Sequence, residues 1–215
     1  MSKTNVLVIG DGGWGTALAT VLHGNGCRVK VWGAFPDYIE TVKKTGENKD
    51  FLPGIKLPSD MLWTSDRKEA VEKADIMILA VPSRYYSDVV KSFSSLMPRN
   101  SVVVSVAKGL DAKSHRRMSA MASEILSRDD ICVLSGPSHA EEVARGIPTA
   151  VVVGGKNQDH CSLIQKTFSN NFFRVYTSDD VVGVELGGAL KNVIALAVGV
   201  SDGLGFGDNT RAALI

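Results

Sequence analysis

A glycine-spaced turn near the start of the chain is the first stretch that could carry chemistry. It follows an apolar run at residues 5–9 and precedes a helix-forming run. A buried strand, a glycine turn and a helix N-terminus together bind the pyrophosphate of a dinucleotide, because the backbone can approach closely and the helix offers free N–H groups. Such turns also close ordinary strand–helix units, but this context favours a cofactor. The predicted cofactor-binding residues of the turn are Gly10, Gly12, Gly13, Trp14 and Gly15.

Lys191 is the second candidate, because it stands in the apolar, glycine-containing stretch 181–200. On a helix its same-face neighbours are uncharged, and Glu185 points elsewhere. The bland alternative is a lysine that reaches the domain surface. Burial among apolar residues would instead lower its pKa toward that of a proton donor, and we expect this functional role. The stretch approaches the length of a membrane span, but these two charges are costly in lipid, so we predict that it is buried in protein.

Two further candidates lie where predicted strands end. Lys108 follows the strand predicted at residues 101–106, at the edge of the sheet where ligands of open α/β sheets bind. A lone lysine at such an edge is more often solvated than functional. The loop at residues 135–140 contains Gly136 and Ser138, and its composition suits an anion site and a helix cap equally well, so both interpretations stay open.

The order of the predicted elements indicates an α/β fold. Apolar runs at residues 5–9, 28–32, 75–81, 101–106, 131–134, 149–153 and 172–176 predict strands, most of them separated by helical segments. This alternation predicts a doubly wound, parallel Rossmann-type sheet over residues 1–178. Residues 179–215 lack strand patterns and predict the beginning of an all-helical second domain. The final helical piece starts near Asn209 or Thr210 and spans barely one turn, so we expect a fragment of a longer protein.

Composition narrows the function classes. A net charge of +1 and a single short basic run, residues 115–117, do not indicate a basic surface for binding nucleic acid. We predict that this run is the solvated face of a helix. Three separated cysteines favour neither a disulfide framework nor a zinc site, so no metal is expected. Without room for a signal peptide before the first strand, the expected location is cytoplasmic.

The end of the second predicted strand leaves the choice between NAD and NADP open. Many NAD sites place an acidic residue there, and NADP sites often place Arg nearby. Residues 32–35, with the sequence W-G-A-F, have neither. We therefore expect weak discrimination that leans toward NAD.

Four separated blocks carry a specific resemblance. They are G-D-G-G-W-G-T-A-L-A from Gly10, F-L-P-G-I-K-L-P from Phe51, S-G-P-S-H-A-E-E-V-A from Ser135 and G-A-L-K-N-V-I-A-L-A from Gly188. The last block continues into D-G-L-G-F-G-D-N-T. In this order the blocks resemble the NAD(P)-dependent glycerol-3-phosphate dehydrogenase family, over essentially the whole chain.

The resemblance implies reversible reduction of dihydroxyacetone phosphate to sn-glycerol 3-phosphate, which feeds glycerophospholipid synthesis. It implies that Lys191 is the proton donor and acceptor of the reaction, that Asn192 stands beside it in the catalytic site, and that Lys108 touches substrate and cofactor. The other implied residues bind substrate or cofactor: Gly136 and Ser138 for the substrate, and Phe35, Tyr85 and Ala140 for the cofactor.

Two alternatives remain, a different two-domain reductase with a Lys-Asn helix and a non-catalytic dinucleotide sensor. The first is not expected to share the blocks from Phe51 and Gly188, and the second has no use for Lys191. The resemblance places part of the substrate clamp beyond Ile215, so we expect this chain to bind a dinucleotide but to turn over slowly. The sequence leaves the oligomeric state open and is compatible with a homodimer.

Overall fold

The computed structural model describes residues 3–215, which form one eight-stranded sheet flanked by helices. The strands run in the order β3-β2-β1-β4-β5-β6-β7-β8. Their bounds are Asn5–Ile9 (β1), Arg28–Trp32 (β2), Leu62–Thr64 (β3), Ile76–Leu79 (β4), Val102–Ser105 (β5), Cys132–Ser135 (β6), Thr149–Gly154 (β7) and Phe173–Ser178 (β8).

Nine helices are formed by the described residues, and most of them connect consecutive strands. Their bounds are Gly13–Gly24 (α1), Pro36–Thr45 (α2), Arg67–Val71 (α3), Ser83–Phe93 (α4), Met118–Leu126 (α5), Ala140–Ala144 (α6), Gln158–Phe168 (α7), Val181–Gly203 (α8) and Asp208–Leu214 (α9). The prediction of a doubly wound sheet followed by helices is confirmed.

The sequence prediction was wrong in several details. It missed the three-residue strand β3, which is too short to show alternation, and it missed α5. Helix α9 has Gly207 rather than Asn209 or Thr210 at its N-cap. The sheet is also not wholly parallel, because β7 runs antiparallel to β6 with Leu134 opposite Val153. Strand direction depends on how the connection crosses the sheet, which apolar runs do not encode.

The core consists of two apolar layers, one on each face of the sheet. Alternate residues of β1 show the division: Val6 and Val8 pack toward α1 and α7, whereas Leu7 and Ile9 pack toward α4 and α5. This alternation follows from the two-residue period of a strand. Burial on both faces explains why the central strands are almost entirely apolar.

Helix α8 does not have the buried environment that the sequence predicted. Its most apolar window of 18 residues has a mean hydropathy of 1.7 and its length would cross a membrane, yet only 6% of that window is buried in the described chain. Glu185 and Ser201 are its only buried residues within that chain. The reason is geometric, since α8 packs on β6 and β7 through one side. The other side, including Leu190, Val193 and Leu196, faces outward.

Glu185 attaches α8 to the sheet domain. Its carboxylate is 2% exposed and accepts hydrogen bonds from the Ser119 backbone N–H at 2.8 Å and the Ser119 hydroxyl at 2.6 Å. The Arg117 guanidinium donates a third bond at 3.0 Å. Helix α5 has no capping side chain of its own, so Glu185, from a distant part of the sequence, satisfies one of the free N–H groups at its N-terminus.

The basic run at residues 115–117 is therefore not a solvated helix face. His115 and Arg116 lie in the loop before α5, and His115 has a left-handed φ of 54°. Arg117 is the N-cap residue of α5 and pairs with Glu185. The sequence interpretation was wrong because the partner lies 68 positions away.

We expect Glu185→Ala to destabilise the fold by about 3 kcal/mol, because it leaves buried donors of Ser119 and the Arg117 guanidinium without an acceptor. Urea unfolding followed by circular dichroism would measure the loss. Glu124→Ala is the matched control, since its pair with Arg116 is exposed and should contribute little. Equal losses in the two variants would contradict this anchoring role.

Candidate active site

The glycine turn has the backbone geometry that an anion requires. Gly10 has φ of +119°, and a Cβ there would lie 2.5 Å from the carbonyl oxygen of Ala80, so only glycine fits. Gly12 is the N-cap of α1, with open space where its Cβ would be and no side-chain cap on the helix. The first N–H groups of α1 therefore have no side-chain cap, and a bound anion could accept from them.

A buried polar network holds this turn in place. Asn48, which is fully buried, donates to the carbonyl oxygen of Asp11 at 2.7 Å and to the Thr16 hydroxyl at 2.8 Å. Tyr38 donates to Asn48 in turn at 2.5 Å. The loop that carries Asn48 continues over the turn, where the Phe51 carbonyl faces Gly13 so closely that a Cβ there would clash. The F-L-P-G block thus covers the glycine turn.

Lys108 lies at the carboxyl edge of the sheet and contacts the loop after β6. Its Nζ donates to Ser138 Oγ at 3.0 Å and to the Gly136 carbonyl at 3.2 Å. It also lies 5.8 Å from the centre of the Trp14 ring. Ser138 makes no cap for α6, whose N-cap is His139 without a side-chain bond. The helix-cap interpretation of Ser138 is therefore disfavoured, because its hydroxyl bonds Lys108 instead.

Lys191 reaches the same edge from α8. It lines a cleft of about 380 Å³ together with Ser135, Gly136, Pro137 and Val152 and the glycine-rich side of α8. Lys191 is exposed in this structure, so the burial predicted for it is wrong. The half-buried lysine is instead Lys108, whose pKa is lowered by burial and, secondarily, by the positive charge of Lys191.

The remaining predicted residues lie around the glycine turn and the two lysines. Ala140 begins α6, and its Cβ lies 3.7 Å from the place of a Cβ on Gly13. Phe35 and Tyr85 are exposed at 70% and 50%, and Asn192 is exposed beside Lys191. Among the described residues these three side chains make no hydrogen bond, so the structure leaves their predicted roles as predictions.

The reversal of β7 explains how Lys191 reaches the edge where Lys108 lies. Because β7 and β8 run opposite to β6, β8 ends at the amino edge of the parallel strands, and α8 begins there. Ten residues of helix from Val181 to Lys191 span about 15 Å, which is close to the length of a strand of four to six residues. The helix therefore returns across β6 and presents Lys191 beside the loop after Ser135.

Two family models match the chain in sequence order. The model described as NAD-dependent glycerol-3-phosphate dehydrogenase N-terminus matches residues 5–161, and the corresponding C-terminus model matches residues 180–215. The chain belongs to the NAD-dependent glycerol-3-phosphate dehydrogenase family. The resemblance drawn from the four sequence blocks is confirmed.

Relatives in this family support the assignment. Glycerol-3-phosphate dehydrogenase [NAD(P)+] of Fusobacterium nucleatum is 49% identical over 98% of this chain, and that of Moorella thermoacetica is 46% identical over 99%. The chain spans 63% of the length of each. The crystal structure of glycerol-3-phosphate dehydrogenase from Coxiella burnetii superposes with a TM-score of 0.89 at 35% identity, covering 99% of this chain and 65% of its own.

The turn of this glycerol-3-phosphate dehydrogenase family member fits a dinucleotide. The space beside Gly12 is free for phosphate oxygens, and the buried Nε1 of Trp14 has no hydrogen-bond acceptor among the described residues. By contrast, a larger cavity of about 630 Å³ lies at the amino edge of the sheet, where Arg128 is already paired with Asp130. A large volume alone does not mark the site.

Sequence reasoning assigned no role to Asp11 and Asn48. Burial raises the pKa of Asp11, partly countered by a hydrogen bond from its own backbone N–H. Its Oδ2 is buried without a partner among the described residues. Asn48 carried no signal, because a single asparagine in a predicted loop is ordinary. Asp11 did carry one, since an acid inside a phosphate-binding turn is unexpected.

Gly188 sets the distance between α8 and β6 in this family member. A Cβ on Gly188 would collide with the Ser135 hydroxyl. We therefore expect Gly188→Ala to lower the free energy of unfolding by about 1 kcal/mol. Gly199→Ala, on the same helix with nothing within 4 Å, should instead raise it by up to about 1 kcal/mol. Thermal unfolding of both variants measures the difference, and the same sign in both would refute this packing role.

Proposed function

We propose that the protein interconverts dihydroxyacetone phosphate and sn-glycerol 3-phosphate with NAD(P)H, and so supplies a precursor of glycerophospholipids. The carrying observation is that Lys108, beside Trp14 of the glycine turn, and Lys191, which lines the neighbouring cleft, lie close enough for the charge of Lys191 to lower the pKa of Lys108. Two ammonium groups and the Ser138 hydroxyl suit a small phosphorylated ketone, since charge-assisted hydrogen bonds are the strong ones. The names of the relatives support the same activity.

The proposed chemistry divides between cofactor and protein. A bound nicotinamide supplies or accepts the hydride at the substrate carbon. Lys191 gives a proton to the ketone oxygen during reduction and takes it back during oxidation. Its positive charge also stabilises the alkoxide that develops on that oxygen. Lys108 and Ser138, already bonded to each other at 3.0 Å, hold the substrate against the loop after β6.

A non-catalytic dinucleotide sensor is the weaker proposal, because it would need the glycine turn but not the two lysines. Another two-domain reductase is also weaker, because both family models match along the chain. Fold alone would not separate these functions. The site chemistry is what favours the dehydrogenase.

The proposal includes the organisation and surroundings of the protein. Residues 1–178 bind the dinucleotide, and residues 179–215 begin a helical substrate domain; the end of β8 at Ser178 and the start of α8 at Val181 support this boundary. Glu185, already paired with Arg117, favours protein rather than lipid around α8. We propose a cytoplasmic location, no nucleic-acid partner and, given the exposed apolar side of α8, a homodimer.

Spectrophotometry of NADH and NADPH oxidation with dihydroxyacetone phosphate tests this function. The chain would be assayed as it stands and joined to the C-terminal third found in its relatives. Oxidation that depends on dihydroxyacetone phosphate supports the proposal. Dinucleotide binding without any turnover in the longer protein would favour the sensor.

Lys191→Met should lower kcat by roughly a hundredfold or more, the scale of a lost general acid, while leaving the dinucleotide Kd unchanged. Steady-state kinetics and calorimetry of the longer protein measure both quantities. Lys166→Met on α7 is the control, because it removes an exposed lysine far from the cleft. A Lys191 variant with a near wild-type kcat would remove the proposed proton donor.

Ser138→Ala should raise the KM for dihydroxyacetone phosphate about tenfold, because one hydrogen bond to a charged group is lost. The Kd for the dinucleotide should hardly change, since Ser138 contacts the Lys108 cluster rather than the glycine turn. Ser94→Ala, whose hydroxyl bonds its own helix end, is the control. A large loss of dinucleotide binding would reassign this serine to the cofactor.

A further inference from the structure

Asp11 and Gly33 are brought together where two neighbouring strands end. Strand β1 pairs with β2 in a register that sets Ile9 beside Trp32, and the Gly10 N–H donates to the Trp32 carbonyl at 2.9 Å. Asp11 is the second residue after β1, and Gly33 is the first residue after β2. A Cβ on Gly33 would lie 2.5 Å from Asp11 Oδ2 and 2.7 Å from its Cγ. The Asp11 carboxyl therefore occupies the space of a side chain at position 33.

This space is where many dinucleotide sites hold an acidic residue, at the end of the second strand next to the adenosine ribose. No acid stands at residues 32–35. The fold nonetheless places the carboxyl of Asp11, from the glycine turn, beside Gly33 at the end of β2. No lysine or arginine stands there either, and the first turn of α2 adds Asp37.

We propose that Asp11 determines cofactor specificity: its carboxylate accepts hydrogen bonds from the adenosine ribose hydroxyls and repels a 2′-phosphate. This inference rests on the dinucleotide binding proposed above and goes beyond it by naming the selective residue. NAD is accordingly the preferred cofactor.

The unsatisfied state of the carboxyl supports this role. Asp11 Oδ2 is buried and, within residues 3–215, has no hydrogen-bond partner. A buried polar oxygen without a donor costs free energy, which a ribose hydroxyl would relieve. The terminal torsion of an aspartate is broad, so the carboxyl can turn an oxygen toward a ligand without moving the backbone. The Asn48 bond to the Asp11 carbonyl keeps that backbone fixed.

Calorimetric titration of the purified chain with NADH and with NADPH tests the role of Asp11 without turnover. We expect wild type to bind NADH more tightly. Asp11→Asn keeps the shape of the side chain and removes its charge, so the ratio of the NADPH Kd to the NADH Kd should fall about tenfold, the scale of one charge-assisted hydrogen bond. Asp11→Ala should change the ratio in the same direction. Glu72→Gln, which removes one exposed charge at the amino edge, should leave the ratio unchanged.

The outcomes separate this inference from the proposed function. If wild type binds neither dinucleotide, the proposed function fails. If wild type binds but the Asp11 variants keep its ratio, or weaken both dinucleotides equally, the selective role of Asp11 is overturned and the proposed function stands.

Moving the carboxyl gives an independent test. Gly33→Asp alone should lower the melting temperature, because its Cβ would collide with Asp11 and with Ile39 Cδ1. In the double variant Asp11→Ala/Gly33→Asp the Asp11 part of the clash is gone. We expect this double variant to regain stability and the wild-type preference for NADH. A stable double variant with the relaxed ratio of Asp11→Ala would contradict the equivalence of the two positions.

Discussion

The buried carboxylate of Glu185 is the interaction on which the site depends. A buried charge is tolerated only when it is fully paired, and Glu185 receives three hydrogen bonds from Arg117 and Ser119. Because a helix is rigid, fixing one residue fixes the others. Lys191 lies six residues further, about 9 Å along the axis, so the anchor sets both its height and its rotation. The first α8 residues are thus positioned by an ion pair rather than by a large apolar interface.

The reversed pair of strands, β7 and β8, provides the second constraint. In a wholly parallel sheet β8 would end at the ligand edge, and ten residues of α8 would carry Lys191 away from it. The reversal makes α8 begin at the opposite edge and return. Gly188 then allows the helix to approach Ser135 closely enough to close one side of the cleft. The direction of β7 and β8 and the absence of a side chain at Gly188 together decide where Lys191 lies.

The electrostatic character of this edge of the sheet arises from two lysines in different environments. Lys108 is half-buried, and its pKa is lowered by burial and by the nearby charge of Lys191. Lys191 is exposed, so water stabilises its charge. Two like charges that lie near each other favour an anion between them, since a bound anion relieves their repulsion. The glycine turn adds the partial positive charge of the α1 N-terminus.

The sequence by itself determined the glycine turn before the first helix, the strands with apolar runs and the family, because these depend on local spacing and on ordered blocks. Only the tertiary structure decided which residues that are distant in the sequence contact one another. The pairing of Glu185 with Arg117 and the reversal of β7 against β6 depend on residues that are distant in the sequence, and the exposure of α8 depends on which elements pack against it. The same holds for Asp11 beside Gly33, because strand register, which no local pattern encodes, brings them into contact.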